Sequence, residues 1–248
     1  MISCVMVAEG SLPRLKAAID CYCRQTYLDR ELIIVGLSEP RMAQAIAAYI
    51  DHLDRSDIRL PAFDPEVDPT LLGLGVANGP LACVWASNDL SHPSRLAIQV
   101  AHLEAASTNA VSMSDRLFFL WWERLLYWVD ESEMSNRPEL AFDATTLGRT
   151  DVLESLFSGA SDEARGFDKV ARQEGVGHCC VRLLGDLSTP YAIDRLEGEL
   201  NQQCRSVAAI ESCRNELGEA LSHYRLPSPY LIKGRLPDGT VRTIDIRH

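Results

Sequence analysis

The sequence predicts an α/β fold with a mainly parallel central sheet, followed by a long C-terminal helix and a terminal β-hairpin. Three observations carry this. Residues 1–60 alternate strand, helix, strand, helix, the order that a parallel sheet with helical crossovers requires. The strands are short, unbroken apolar runs, as expected where both faces of a sheet are covered. The C-terminal part carries one sustained apolar stripe at helical spacing, then a turn signal between two β-rich runs.

Residues 2–8 form the first apolar, β-branched run, broken by Glu9-Gly10. Ser11 is placed to cap a helix with Pro13 in its first turn, and Leu12, Leu15, Ile19 and Tyr22 fall on one face. Residues 32–35 are the second strand. Residues 41–52 are the second helix, with Met42, Ile46, Tyr49 and Ile50 inward. The acidic, proline-broken stretch 61–69 reads as a loop, and 81–85 as the third strand. Ser91 is expected to cap a helix through Ala106, with Leu96, Val100 and Leu103 inward. Residues 110–113 read as a strand; 117–129 fit strand or helix. A short helix or turn is expected at 153–157, a helix at 168–173 and a strand at 178–184. A single helix over 191–224 is expected from the stripe Leu196, Leu200, Cys204, Val207, Ile210, Cys213, Leu217, Leu221 and Tyr224. Residues 230–236 and 240–246 flank Pro237-Asp238-Gly239, a hairpin signal. The expected division is a ligand-binding part, 1–190, and a C-terminal part, 191–248. The long stripe of the C-terminal part suits an interface with a second copy or a partner protein, or a wrap over its own sheet.

The chain has 248 residues, is 46% hydrophobic and carries a net charge of −11, with three lysines, Lys16, Lys169 and Lys233. That balance argues against nucleic acid as a partner and against docking on anionic lipid. No apolar run approaches the ~20 residues of a membrane span, and the N-terminus lacks a basic leader region. A cytoplasmic location is therefore expected. The eight cysteines contain no Cys-x-x-Cys pair, so buried thiols are expected instead of disulfides or zinc.

Several motifs, in order, carry a family resemblance. The opening strand and helix end in Gln25-Thr26-Tyr27, followed by Glu31-Leu32-Ile33-Ile34-Val35. Then come Leu72-Gly73-Leu74-Gly75-Val76-Ala77-Asn78 and the run Trp85-Ala86-Ser87-Asn88-Asp89-Leu90-Ser91-His92-Pro93-Ser94-Arg95-Leu96. Together these resemble the first part of a family 2 glycosyltransferase over roughly residues 1–106. Beyond Asn109 the match is looser: residues 138–152 resemble the acceptor-side strand and arginine-bearing turn of such enzymes. The resemblance implies a GT-A fold, a Rossmann-like sandwich that binds a nucleotide sugar at the carboxyl ends of its strands, where open α/β sheets bind ligands.

It also implies a reaction and a site. A carboxylate deprotonates an acceptor hydroxyl, which attacks the anomeric carbon with inversion, while a divalent cation (Mn²⁺ or Mg²⁺) steadies the departing diphosphate. Asp168 falls near the family's catalytic acid, with Asp162 and Glu163 as rivals on the same acidic loop. Ala8, Glu9, Gly36, Asn78, Ser87, Asn88 and Asp89 fall where the nucleotide sugar is contacted; Asp89 and His178 are the candidate metal ligands. Each has a plainer reading: Asp89 as a helix-entry acid, Asn88 as a turn residue, the loop acids as a solvated face, His178 as an ordinary packed or exposed residue. Arg95 fits either a pair with an acid beneath the site or a solvated position. Trp121, Trp122 and Trp128 read first as core, second as a sugar-stacking surface.

The chain departs from the family in three places. Its second strand ends in Gly36-Leu37-Ser38, where the family carries an Asp. The span from Asn78 to Leu81 is shortened. Ala86 and Asn88 replace two acids of the Asp-x-Asp-Asp cluster, and hard cations want anionic oxygens. The first functional expectation is thus transfer of a sugar from a nucleotide-sugar donor to a glycan or other acceptor hydroxyl. The second is a non-catalytic relative that scaffolds or regulates an active partner. A third is a metal-independent transferase that uses arginines.

Overall fold

The structure, a computed structural model, describes residues 1–130, 145–158, 170–173, 179–184, 190–224 and 226–246. In chain order the elements begin with β1 (Ile2–Val7), α1 (Leu12–Cys23), β2 (Arg30–Val35), α2 (Pro40–Leu53), β3 (Ile58–Arg59) and α3 (Pro69–Gly75). Then come β4 (Leu81–Val84), β5 (Asp89–Ser91), α4 (Arg95–Ala106), β6 (Ala110–Met113), β7 (Asp115–Leu120) and β8 (Leu125–Asp130). They continue with β9 (Leu147–Arg149), α5 (Thr150–Phe157), β10 (Val170–Gln173) and β11 (Cys180–Leu184). The chain closes with α6 (Pro190–Gln203), α7 (Val207–Ser212), α8 (Arg214–Ser222), β12 (Tyr230–Arg235) and β13 (Val241–Ile246).

The described residues fall into two compact units. One holds 1–89, 93–112, 145–158 and 170–172; the other holds 90–92, 113–130, 173, 179–184, 190–224 and 226–246. The division expected at 190/191 is corrected by this. The C-terminal strand β12 pairs in parallel with β8 from the middle of the chain, so the C-terminal residues share a sheet with 115–130.

The first unit is built on a seven-stranded sheet, ordered β10-β6-β9-β4-β1-β2-β3. β1 pairs in parallel with β2 and β4, and β2 with β3; β9 runs antiparallel to β4 and β6. β1 and β2 are buried along nearly their whole length, which explains their unbroken apolar sequence. Val5, Ile33, Val35, Leu74, Ala82 and Leu153 form one core cluster. α3 lies against it closely: a Cβ on Gly73 would stand 2.3 Å from Val5 Cγ1, so only glycine fits. α3 falls in the stretch of the Leu72–Asn78 motif, to which the sequence reading assigns no element. Its signal is Asp68, whose carboxylate accepts from the amides of Thr70 and Leu71, followed by Pro69.

The Gln25-Thr26-Tyr27 motif has a structural explanation. Gln25 Nε2 donates to the Cys21 carbonyl at the end of α1, while its Oε1 accepts from the Leu96 amide in the first turn of α4. The Thr26 amide donates to the Pro93 carbonyl at 2.8 Å. The motif ties the end of one helix to the start of another. The helix expected from Ser91 begins later, at Arg95, because Asp89–Ser91 is extended as β5. Its buried residues include Arg95 and Gln99 beside Leu96 and Leu103.

The second unit is built on a six-stranded sheet, ordered β13-β12-β8-β7-β11-β5. The ambiguous run 117–129 resolves into the antiparallel pair β7–β8. The terminal hairpin forms as expected, with β12 antiparallel to β13 and Gly239 in the left-handed region at φ 85°. Two expectations fail. Residues 170–173, at the edge of the first sheet, are strand, not helix. The helix expected over 191–224 is three helices: after α6 the Arg205 amide donates to the Trp128 carbonyl, and Ser206 starts α7 by capping the Ala209 amide. The stripe is spent inside its own unit. Leu200 and Cys204 pack on Phe118, Leu120, Leu125, Tyr127 and Val129, and Ile210, Leu217 and Leu221 are buried.

A buried polar centre joins these pieces. Asp115 Oδ2 accepts from Trp128 Nε1 at 2.6 Å and pairs with Arg205 at 3.2 Å, and the Arg205 guanidinium lies 4.7 Å from the Trp128 ring centroid. None of the eight cysteines is in a disulfide, and six of them are buried.

Candidate active site

The carboxyl ends of β1, β2 and β4 lie side by side because the three strands are in parallel register. β1 runs out into Ala8, Glu9 and Gly10, β2 into Gly36, and β4 into Trp85, Ala86 and Ser87. The Ala8 amide donates to the Val35 carbonyl, and the Trp85 amide to the Val5 carbonyl. The loops are joined directly: Ser87 Oγ accepts from the Glu9 amide at 3.2 Å and donates to the Glu9 carbonyl at 3.1 Å. Gly36 completes the edge. Its φ is 79°, and a Cβ there would meet Val7 Cγ1 at 3.3 Å and the Ala8 nitrogen at 3.7 Å. The aspartate expected by analogy at this position is thus replaced by the residue that the local backbone demands.

The floor under this edge is rigid. Trp85 is fully buried and its Nε1 donates to the Ala18 carbonyl of α1 at 3.0 Å. Arg95 is fully buried too: its guanidinium stacks 4.8 Å from the Trp85 ring centroid and donates to the Val84 carbonyl and to Gln99 Oε1. Gln99 Nε2 passes the chain on to the Thr145 carbonyl. Arg95 is therefore not solvated, and through these contacts it braces the end of β4. Gln99 was missed, though a glutamine one helical turn after Arg95, among the inward residues of α4, was a legible signal.

Asn78 does not belong to this edge. Its amide and side chain donate to Glu31 at 2.8 and 3.0 Å, and Glu31 also accepts from Ser3 Oγ at 2.6 Å and Arg59 Nε at 2.9 Å. Ser3 and Glu31 are register partners near the amino ends of β1 and β2. Glu9 lies past the other end of β1. With ~3.3 Å of rise per strand residue, Asn78 sits more than about 13 Å from the joined loops. Its role is to close the turn into β4. Burial pushes the Glu31 carboxyl up, but the hydrogen bonds from Ser3, Asn78 and Arg59 outweigh it and leave it below its ordinary range.

Asp89 follows the turn, its amide donating to the Ala86 carbonyl at 3.4 Å. It is 1% exposed, whereas Asn88 beside it is half-buried. Asp162, Glu163, Asp168 and His178 lie outside the described residues. Among the described residues no group of three His, Cys, Asp or Glu side chains converges as a metal site. Ala86 has no donor, Asn88 has a neutral one, and Asp89 is closed off from solvent. The described residues do not fit a divalent-cation site.

Arg14, also missed, stands where it matters. It lies in the first turn of α1, with its Cδ 3.9 Å from where a Gly10 Cβ would be. The helix has no acidic residue in its first turn and no side-chain cap from Ser11. The positive end of α1 and the stem of Arg14 thus lie beside the end of β1.

The structure is similar to S. aureus TarS 1–349 in complex with UDP-GlcNAc, at 13% identity and a TM-score of 0.55, over 90% of this chain and 72% of that one. It is similar to the same TarS fragment in complex with UDP, at 14% identity and a TM-score of 0.53, over 89% and 70%. It is also similar to the mannosyltransferase PcManGT of Pyrobaculum calidifontis in complex with GDP-Man and Mn²⁺, at 13% identity and a TM-score of 0.50, over 90% and 72%. No protein-family model matches the sequence, and no curated protein matches it. At these identities the likeness establishes architecture: the chain has a GT-A-type glycosyltransferase fold. No helix among the described residues is long and apolar enough to cross a membrane.

Proposed function

We propose that the chain transfers a sugar from a nucleotide-sugar donor to an acceptor hydroxyl, with inversion at the anomeric carbon. The observation that carries this reading is the joined edge: Ser87 locked to the Glu9 backbone, beside Gly36, at the carboxyl ends of parallel strands. Ala8, Glu9, Gly36, Ser87 and Asn88 line the donor side. In this reading the amino end of α1, with Arg14 in its first turn, favours the negative charge of the diphosphate as it leaves. Asp168, with Asp162 and Glu163 as the other carboxylates of that loop, is the expected base. It takes the acceptor proton, the acceptor oxygen bonds to the anomeric carbon, and the bond to the nucleoside diphosphate breaks with its electron pair. The fold's neighbours support the donor class: TarS holds UDP or UDP-GlcNAc, and PcManGT holds GDP-Man and Mn²⁺. No step is routed through a cation, since the described donor set does not fit one.

Calorimetric titration with UDP, GDP and dTDP sugars tests the reading. The expected result is saturable binding of one nucleotide class, weakened by Arg14→Ala. Absence of binding by every donor would remove the transferase reading and leave the scaffold reading, which rests on Ala86, Asn88 and Gly36 standing where the family carries acids.

A further inference from the structure

The turn between β7 and β8 is Trp121-Trp122-Glu123-Arg124, with Arg124 in the left-handed region at φ 57°. Trp121 is 47% exposed and Trp122 37%. The other exposed large hydrophobics among the described residues are Met1, Leu28, Phe63 and Val67, all in the first unit. In the described part of the second unit, this exposed apolar surface is therefore two adjacent indoles and nothing else.

Both rings are held in place. Trp121 meets Phe119 edge-on, with centroids 5.2 Å apart and planes at 77°. Trp122 Nε1 donates to Glu197 Oε1 of α6 at 3.1 Å, and Arg124 anchors the turn by donating to the Ser228 carbonyl at 3.3 Å. Two carboxylates flank the rings: Glu123 belongs to the turn itself, and Glu197 reaches it through the Trp122 hydrogen bond.

The size and chemistry of this patch select its occupant. Two half-exposed indoles offer on the order of 200 Å², well short of the ~800 Å² per side of a stable protein interface. Anionic lipid and nucleic acid are disfavoured by Glu123, Glu197 and a net charge of −11. A sugar ring matches on every count. Its C–H face covers an indole, and its hydroxyls bond to flanking carboxylates and a guanidinium. Rings already held in place also lose little freedom on binding.

We propose that the Trp121–Arg124 turn is a docking surface for an uncharged saccharide chain; this binding stands apart from the transferase reading above.

The test uses the full chain without nucleotide sugar, titrated with chitotetraose, cellotetraose and maltotetraose by calorimetry and tryptophan emission. At least one should bind at up to about 20 mM. Trp121→Ala and Trp122→Ala should each weaken it at least about tenfold, and Trp122→Phe should keep part of the affinity. Far-UV circular dichroism should be unchanged, and the thermal midpoint should fall by at most a few degrees, because the indoles are only partly buried. Wild-type binding of none of the three, or unchanged binding by both alanine variants, overturns the proposal. So does tryptophan-dependent sedimentation with phosphatidylcholine–phosphatidylglycerol vesicles. Saccharide binding without any nucleotide-sugar binding would sink the transferase reading and keep this surface; the reverse would sink this surface and keep the transferase.

Discussion

Ser87 Oγ and the Glu9 backbone exchange two hydrogen bonds, 3.2 Å from the Glu9 amide and 3.1 Å to the Glu9 carbonyl. One buried hydroxyl thereby satisfies both polar groups of a residue on the neighbouring loop. These bonds tie the loops that follow β1 and β4 to each other. Ser87→Ala should cost about 1–2 kcal/mol of stability by leaving those groups unpaired. It should also weaken donor binding several-fold, which calorimetry and urea denaturation on the same variant will show. A variant as stable and as tight-binding as the wild type would mean the two loops hold without this bridge.

Gly36→Asp restores the side chain that the resemblance leads one to expect, yet it should harm the protein. The backbone there sits at φ 79°, and a Cβ would press on Val7. A cost of about 1–2 kcal/mol is expected from the left-handed conformation alone, and Gly36→Ala should cost nearly as much. Thermal melts of the two variants check this. A stabilised Gly36→Asp would show that the β2 end adapts.

Glu31 makes stability depend on acid. Its folded carboxyl lies below its unfolded value, so the contribution is complete above the ordinary glutamate range of about 4.3. It is lost as pH falls through the lowered folded value. Urea midpoints should therefore drop between about pH 5 and pH 3, and Glu31→Gln should flatten part of that slope. At neutral pH the same variant should cost on the order of 2 kcal/mol, since Ser3, Asn78 and Arg59 lose a charged acceptor.

Asp115→Ala should destabilise the second unit by about 3–5 kcal/mol, the range for removing one member of a buried ion pair. Trp128 loses the acceptor of its Nε1 at the same time. Near-UV circular dichroism should report a changed tryptophan environment, while the first unit keeps its donor affinity.

Chelation should matter little. With Ala86 donor-free and Asp89 closed off from solvent, donor affinity with EDTA should stay within about threefold of that with Mn²⁺, less than 1 kcal/mol. A tenfold loss on chelation would show that a cation is held after all.

Much of the first unit could be read from pattern. Ile2–Val7 and Arg30–Val35 are buried on both faces, and a buried parallel strand leaves an apolar run that needs no partner to be recognised. The terminal hairpin was equally legible, because Asp238-Gly239 encodes a turn locally. Non-local pairing was not. Nothing in 115–130 announces that β12 will join it, and the break at Cys204–Ser206 depends on a hydrogen bond from Arg205 to Trp128 that exists only once the sheet is formed.

The sequence by itself determined the leading strands and helices of the first unit, the parallel core and the terminal hairpin, since periodicity and turn chemistry act over a few neighbouring residues. Only the tertiary structure decided which motif residues meet. It sent Asn78 to the amino ends beside Glu31, brought Ser87 onto Glu9, buried Arg95 under Trp85, and left Trp121 and Trp122 facing outward. Strand register and helix packing set those distances, and both depend on residues far apart in the chain.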